Sequence, residues 1–113
     1  MKFGAYIRSV REERKVGLRE MARKIGVSPT YVSKVERDEF APPAEDKVRK
    51  IAEILEMDPD ELLSRAGKVS SDLTEIIRAR PRVLAALLRT TKGMTADDVG
   101  RLARNVEKSK GKW

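Results

Sequence analysis

The chain of 113 residues contains no cysteine and no histidine. Without thiols there is no disulfide and no thiolate metal site, and carboxylates alone make a poor zinc site. An enzyme built from this alphabet would need paired carboxylates in a cleft, or an activated Ser or Lys. The pair Asp97-Asp98 stands at the start of a helical pattern and reads as capping, and no glycine-rich loop that cradles phosphate is present. No apolar run approaches the roughly 18 residues that span a bilayer. Met1-Lys2-Phe3-Gly4-Ala5-Tyr6 is followed at once by charged residues, which is no signal peptide. These absences predict a soluble cytoplasmic protein without cofactor or metal, and not an enzyme.

What the chain has is positive charge, and it is segregated. The net charge is +7, yet residues 1–37 hold ten Lys/Arg against four Asp/Glu, residues 38–66 four against nine, and residues 67–113 eleven against five. A basic front and an acidic middle orient a molecule on a polyanion and make the association steeply salt-dependent. The bland alternative is solvated helix faces, and for the last third that alternative is strong.

The length suits one small domain with an appendage. A first helix is expected over Phe3 to Arg14, with Phe3, Ile7 and Val10 inward, Arg8, Arg11 and Arg14 outward, and Tyr6 packing beside them. A second runs from Leu18 to Ile25, its Met21, Ala22 and Ile25 forming a buried stripe. Gly26 ends it in the left-handed conformation that a missing Cβ permits. Ser28 then caps a third helix whose first position is Pro29, where an absent N–H costs nothing. Val32 and Val35 face inward, leaving Thr30, Tyr31, Ser33, Lys34 and Arg37 on an outer arc. Asp38 to Pro43 is a loop stiffened by two prolines, with Phe40 expected to plug the core. A fourth helix over Ala44 to Leu55 buries Val48, Ile51, Ala52 and Leu55, with Lys47, Arg49 and Lys50 solvated. Asp58-Pro59 opens a fifth that stops at Gly67.

The run Met21-Ala22, Gly26-Val27-Ser28, Val32-Ser33 and Val35-Glu36, followed by Pro42-Pro43 and the helix Lys47 to Leu55, resembles the Xre/Cro/CI-type helix-turn-helix family of bacterial and phage repressors. The likeness covers about residues 3 to 66. It implies that Ser28 caps a recognition helix, that Pro29, Thr30 and Lys34 face base edges, and that Ser33 and Arg37 lie near bases or phosphates. Three positions depart from the family's pattern. Gly17 replaces the usual Ser/Thr cap, Leu18 the frequent phosphate-binding Gln, and Asp38 the glycine usual after Glu-Arg. Glycine still caps and Asp tolerates a left-handed backbone. Arg19 is the substitute candidate for the phosphate clamp, and Tyr31 is left open between a phosphate and a thymine methyl.

Residues 68–113 lie outside that likeness. Helices are expected over Ser71 to Ala79 and Arg82 to Thr91, then Thr95 with Asp98 forms a capping box that opens a last one through Val106. The tail from Glu107 is expected to fray, and Trp113 has no obvious pocket. Ile76, Ile77, Leu84, Leu87, Leu88 and Leu102 give more apolar surface than this segment can enclose alone. The fold class expected is therefore all-α: a five-helix repressor-like helix-turn-helix domain over residues 1–67, followed by a three-helix C-terminal dimerisation region over residues 68–113.

The expected partners are double-stranded DNA and a second copy of the chain. A two-fold dimer would set two recognition helices roughly 34 Å apart on an inverted repeat. The competing reading makes Val83 to Leu88 a docking or cleavage site for a protein partner, a toxin or a metallopeptidase; both kinds of regulator occur among Xre-like proteins.

Overall fold

Helix starts and stops in this chain have local chemical reasons. The computed structural model describes residues 1–110, all of whose regular structure is helical: α1 (Phe3–Glu13), α2 (Leu18–Ile25), α3 (Pro29–Glu36), α4 (Glu45–Ile54), α5 (Pro59–Arg65), α6 (Ser71–Ala79), α7 (Pro81–Thr90) and α8 (Ala96–Ser109). Proline holds the first position of α3, α5 and α7. Ser28 Oγ accepts from Tyr31 N at 3.1 Å, and the Asp58 carboxylate from Glu61 N at 3.0 Å. Each satisfies one of the orphan donors of a first helical turn. Gly26 ends α2 at φ +78°, as its position in the turn predicts. The Thr95–Asp98 capping box closes in both directions, at 3.1 and 3.2 Å.

The described chain falls into two compact units, Met1–Ser71 and the segment from Asp72 onward. In the first, α3 packs on α1 and α2, α2 on α4, and α4 on α5. Their shared core is Phe3, Ile7, Met21, Ala22, Ile25, Val32, Val35, Val48, Ile51, Ala52, Leu55, Leu62 and Leu63. Ala22 is fully buried in this core on the inward face of α2. The last residues of this unit are folded back on α4: Arg49 bonds Ser70 Oγ, and the Glu45 carboxylate accepts from Ser71 N at 3.1 Å.

In the second unit α6, α7 and α8 contribute no buried residue. Ile76, Leu87, Leu88 and Leu102 are exposed and Ile77 and Leu84 half-buried. The most exposed apolar side chain there is Val83, at 68%.

Five expectations are corrected. Arg11 is buried rather than outward, because it shares the face of Phe3 and Ile7 and finds an acid there. Phe40 does not plug the core; it lies 44% exposed against Tyr31. Lys47 is not simply solvated, since its ammonium donates to Ile25 O at 3.1 Å, the carbonyl end of α2 where a cation is favoured. Arg49 is tied to Glu45 and Ser70 in the same way. The last helix extends through Ser109 and takes in Glu107 to Ser109 of the expected tail; Trp113 lies outside the described residues.

Candidate nucleic-acid interface

The outer arc of α3 is built from its inner face upward. Val32 and Val35 fix the helix in the core, and Glu36, one residue beyond Val35, turns inward with them at 4% exposure. A carboxylate there needs a partner. Arg11 supplies it as a fork, Nε to Oε2 at 2.6 Å and Nη2 to Oε1 at 2.9 Å, while its Nη1 donates to Val16 O at 2.9 Å. The hydrogen bonds to Glu36 push the Arg11 guanidinium above its ordinary pKa against the opposing effect of burial, helped by the charges of Glu36 and Glu12. One side chain thus joins α1, the α1–α2 connection and the end of α3.

A second anchor follows immediately. Asp38 adopts φ +59°, the left-handed backbone this position demands, and its carboxylate accepts from Gly4 N at 2.8 Å and Ala5 N at 3.3 Å. It caps the start of α1, whose own N-cap residue Lys2 makes no side-chain cap. The approach is so close that a Cβ at Gly4 would stand 2.0 Å from Val35 O. The C-terminal end of α3 is therefore clamped on α1 by an ion pair, a carboxylate cap and backbone contact.

With that face anchored, the other is open. Ser28, Thr30 and Arg37 are exposed, and Pro29, Tyr31, Ser33 and Lys34 are half-buried. Arg19, in the first turn of α2, is exposed as well. The structure thus brings Pro29, Thr30, Ser33 and Lys34 onto one helix, with Ser28 at its N-cap and Arg37 at its C-cap. The Arg37 guanidinium is paired with Glu39 at 3.1 Å, both half exposed. Tyr31 meets the Phe40 ring at 5.8 Å between centroids, and the Lys34 ammonium stands 5.2 Å from the centre of the same ring.

An anchored helix with an open polar arc, entered through a glycine turn from a partner helix of the same length, is a helix-turn-helix. A family model described as a helix-turn-helix domain matches residues 4–68. The chain belongs to the Xre-like helix-turn-helix family. This helix-turn-helix chain is 37% identical over 75 residues to an uncharacterized HTH-type transcriptional regulator of Mycobacterium tuberculosis, covering 66% of this chain and 53% of that one. It is 33% identical over 67 residues to the HTH-type transcriptional repressor RghR of Bacillus subtilis, covering 59% and 50%. The chain spans about half the length of the curated relatives it matches. Its fold is similar to that of a solved SinR protein/SinI protein complex, with a TM-score of 0.51 at 22% identity over 96% of this chain and 97% of that one. The relatives are named as regulators of transcription, not as enzymes. Among the described residues no helix is long and apolar enough to cross a membrane, and no group of acids could hold a metal ion.

Sequence reasoning missed Arg11, Glu36, Gly4, Asp38 as a cap, and Phe40. For the ion pair a signal existed: Arg11 follows Phe3 and Ile7 at intervals of four, and Glu36 follows Val32 at the same interval. Two opposite charges on two inward faces are a candidate pair. Nothing in the sequence announces that Asp38 reaches back to Gly4, because that contact depends on the crossing of α1 and α3.

Proposed function

We propose that this chain is a DNA-binding transcriptional regulator that acts as a homodimer in the cytoplasm and represses by occupying an inverted-repeat operator. Residues 1–67 bind DNA and residues 68–113 dimerise. Helix α3 enters the major groove. Thr30 and Lys34 reach base edges with Pro29 beside them, while Arg19, Ser33 and Arg37 fix register on phosphates, Tyr31 contacts the backbone or a thymine methyl, and Ser28 holds the helix start. The observation that carries this reading is the clamped inner face of α3 beneath an uncovered polar arc, in a segment whose charge is strongly basic. Phosphates draw the basic face in, and base contacts then discriminate.

The dimer reading rests on α6 to α8, which bury nothing by themselves and expose Leu87, Leu88 and Leu102. The same exposed residues favour a second reading, docking of a different protein such as a toxin or a metallopeptidase. Sedimentation of the pure protein separates the two: a dimer is expected, and a stable monomer at working concentration supports the docking partner instead.

Selection from a random duplex pool tests the function. A palindromic consensus is expected, and Lys34→Ala should relax preference at one base pair per half-site by about 1–3 kcal/mol, the worth of a good base contact. Recovery of no consensus at all, or an unaltered profile for folded Lys34→Ala, overturns base reading by this helix.

A further inference from the structure

We propose that Phe40 is a positioning residue for base reading: its ring, braced by Tyr31, holds the Lys34 ammonium at one place above the arc of α3 and keeps hold of it when DNA is bound. The inference deepens the reading of Lys34 as a base contact and rests on it.

Phe40 has no other evident task. It is 44% exposed in a loop whose neighbours Pro42 and Pro43 are more buried than it is. Yet it is fixed, because Glu39 N and Phe40 N both donate to Lys34 O, at 2.9 and 3.3 Å, which folds the loop back over the end of α3. The ring then meets Tyr31 at 5.8 Å, tilted by 46°, and faces the Lys34 ammonium at 5.2 Å from its centroid. Tilted aromatic pairs and a cation over a ring face are both attractive geometries. Lys34 is half-buried, although a lysine in the last turn of a surface helix has every reason to wander in solvent.

A lysine is a flexible point charge that donates equally to many acceptors, so by itself it discriminates bases weakly. Restricting its stem converts it into a donor with a direction. The ring occupies one side of the ammonium and leaves its other N–H bonds pointing away from the loop, where an acceptor pair on a guanine edge can take them. Pre-organisation of this kind reduces the side-chain entropy lost on binding the right site and gives nothing to a site whose acceptors lie elsewhere.

The test compares Phe40→Leu, which keeps apolar bulk and loses the ring, with Phe40→Tyr, which keeps the ring, on the selected duplex and its single-base variants. Phe40→Leu should lower discrimination at the Lys34 base pair alone by about two- to fivefold, the worth of an exposed cation–π contact, with nonspecific affinity and salt slope unchanged, and Phe40→Tyr should restore it. A uniform loss across all duplexes, an unchanged profile, or tighter binding by Phe40→Leu overturns the proposal. The upfield ring-current shift of the Lys34 ε-methylene protons provides a second measurement, since it should persist in the complex; its disappearance on binding means that Lys34 leaves the ring. If Lys34→Ala changes nothing, base reading itself fails, whereas relaxation by Lys34→Ala without relaxation by Phe40→Leu removes only the role of Phe40.

Discussion

Replacing Glu36 by Gln should cost about 3 kcal/mol of stability, at the lower end of the 3–5 kcal/mol lost when one partner of a buried ion pair is removed. The side chains of Arg11 and Glu36 are 10% and 2% exposed, so water cannot take over the lost charge. Glutamine preserves the volume and one acceptor but offers its amide to a guanidinium that has nothing to accept with. For a small domain whose total stability is about 5–15 kcal/mol, this is a large fraction. Urea unfolding followed by circular dichroism measures the loss, and hydrogen exchange of amides in α1 to α5 assigns it to the first unit. The double variant Arg11→Met with Glu36→Leu should recover most of the stability, since a well-packed apolar pair removes both desolvation penalties. Recovery should be incomplete by about 1 kcal/mol, because the Val16 carbonyl loses its donor. A loss below about 1 kcal/mol for Glu36→Gln would refute the argument that this pair anchors α3.

Gly4→Ala should destabilise by more than about 2 kcal/mol, since its Cβ would meet backbone oxygen, which cannot swing aside as a side chain can; an unchanged thermal midpoint would mean that α1 and α3 separate freely. In the second unit, the backbone amide of Thr95 first, then its hydroxyl and Arg101, hold the Asp98 carboxyl below its ordinary pKa. A depressed carboxylate stabilises fully above its unfolded value of about 3.9 and loses that contribution as pH falls through the lower folded value. The start of α8 should therefore lose helicity only in acid below about pH 4, and Asp98→Asn should lack this step. Carboxyl NMR of Asp98 checks the direction, and a midpoint above that of a free aspartate contradicts it.

Helix limits were legible because they depend on residues a few positions apart. Ser28-Pro29, Asp58-Pro59 and Thr95 with Asp98 each carry their own cap, and Gly26 its own turn. The apolar core was legible for a related reason, since Met21, Ala22 and Ile25 share a face whatever they pack against. Charged side chains depart from the sequence reading where residue type and spacing point in different directions. Arginine is usually exposed, which points Arg11 outward, although its interval from Ile7 places it on the inward face. Lys47 and Arg49 found acceptors on other segments, at Ile25 and Ser70, that no local pattern announces. Phe40, being apolar, reads as a core residue, but its surroundings are set by the backbone bonds that fold the loop onto Lys34.

The buried pair also changes how the basic front of the chain must be counted. Arg8, Arg14, Lys24 and Arg37 are each paired with an acid across exposed surface, at 3.0 to 3.4 Å. Such pairs contribute about 0–1 kcal/mol, so a phosphate can displace the acid at little cost. Arg11 cannot be exchanged in this way, because leaving Glu36 would strand a carboxylate in the core. The count of ten Lys/Arg in residues 1–37 therefore overstates by one the cations available to DNA, although the net charge of the segment does not change, because Arg11 uses its charge to set the angle of α3. Removing both members of the buried pair leaves the net charge unchanged and takes no exposed cation from the surface. On the proposed function, its salt dependence should then match that of the parent, and any loss of discrimination between duplexes must come from the position of α3 rather than from electrostatic attraction.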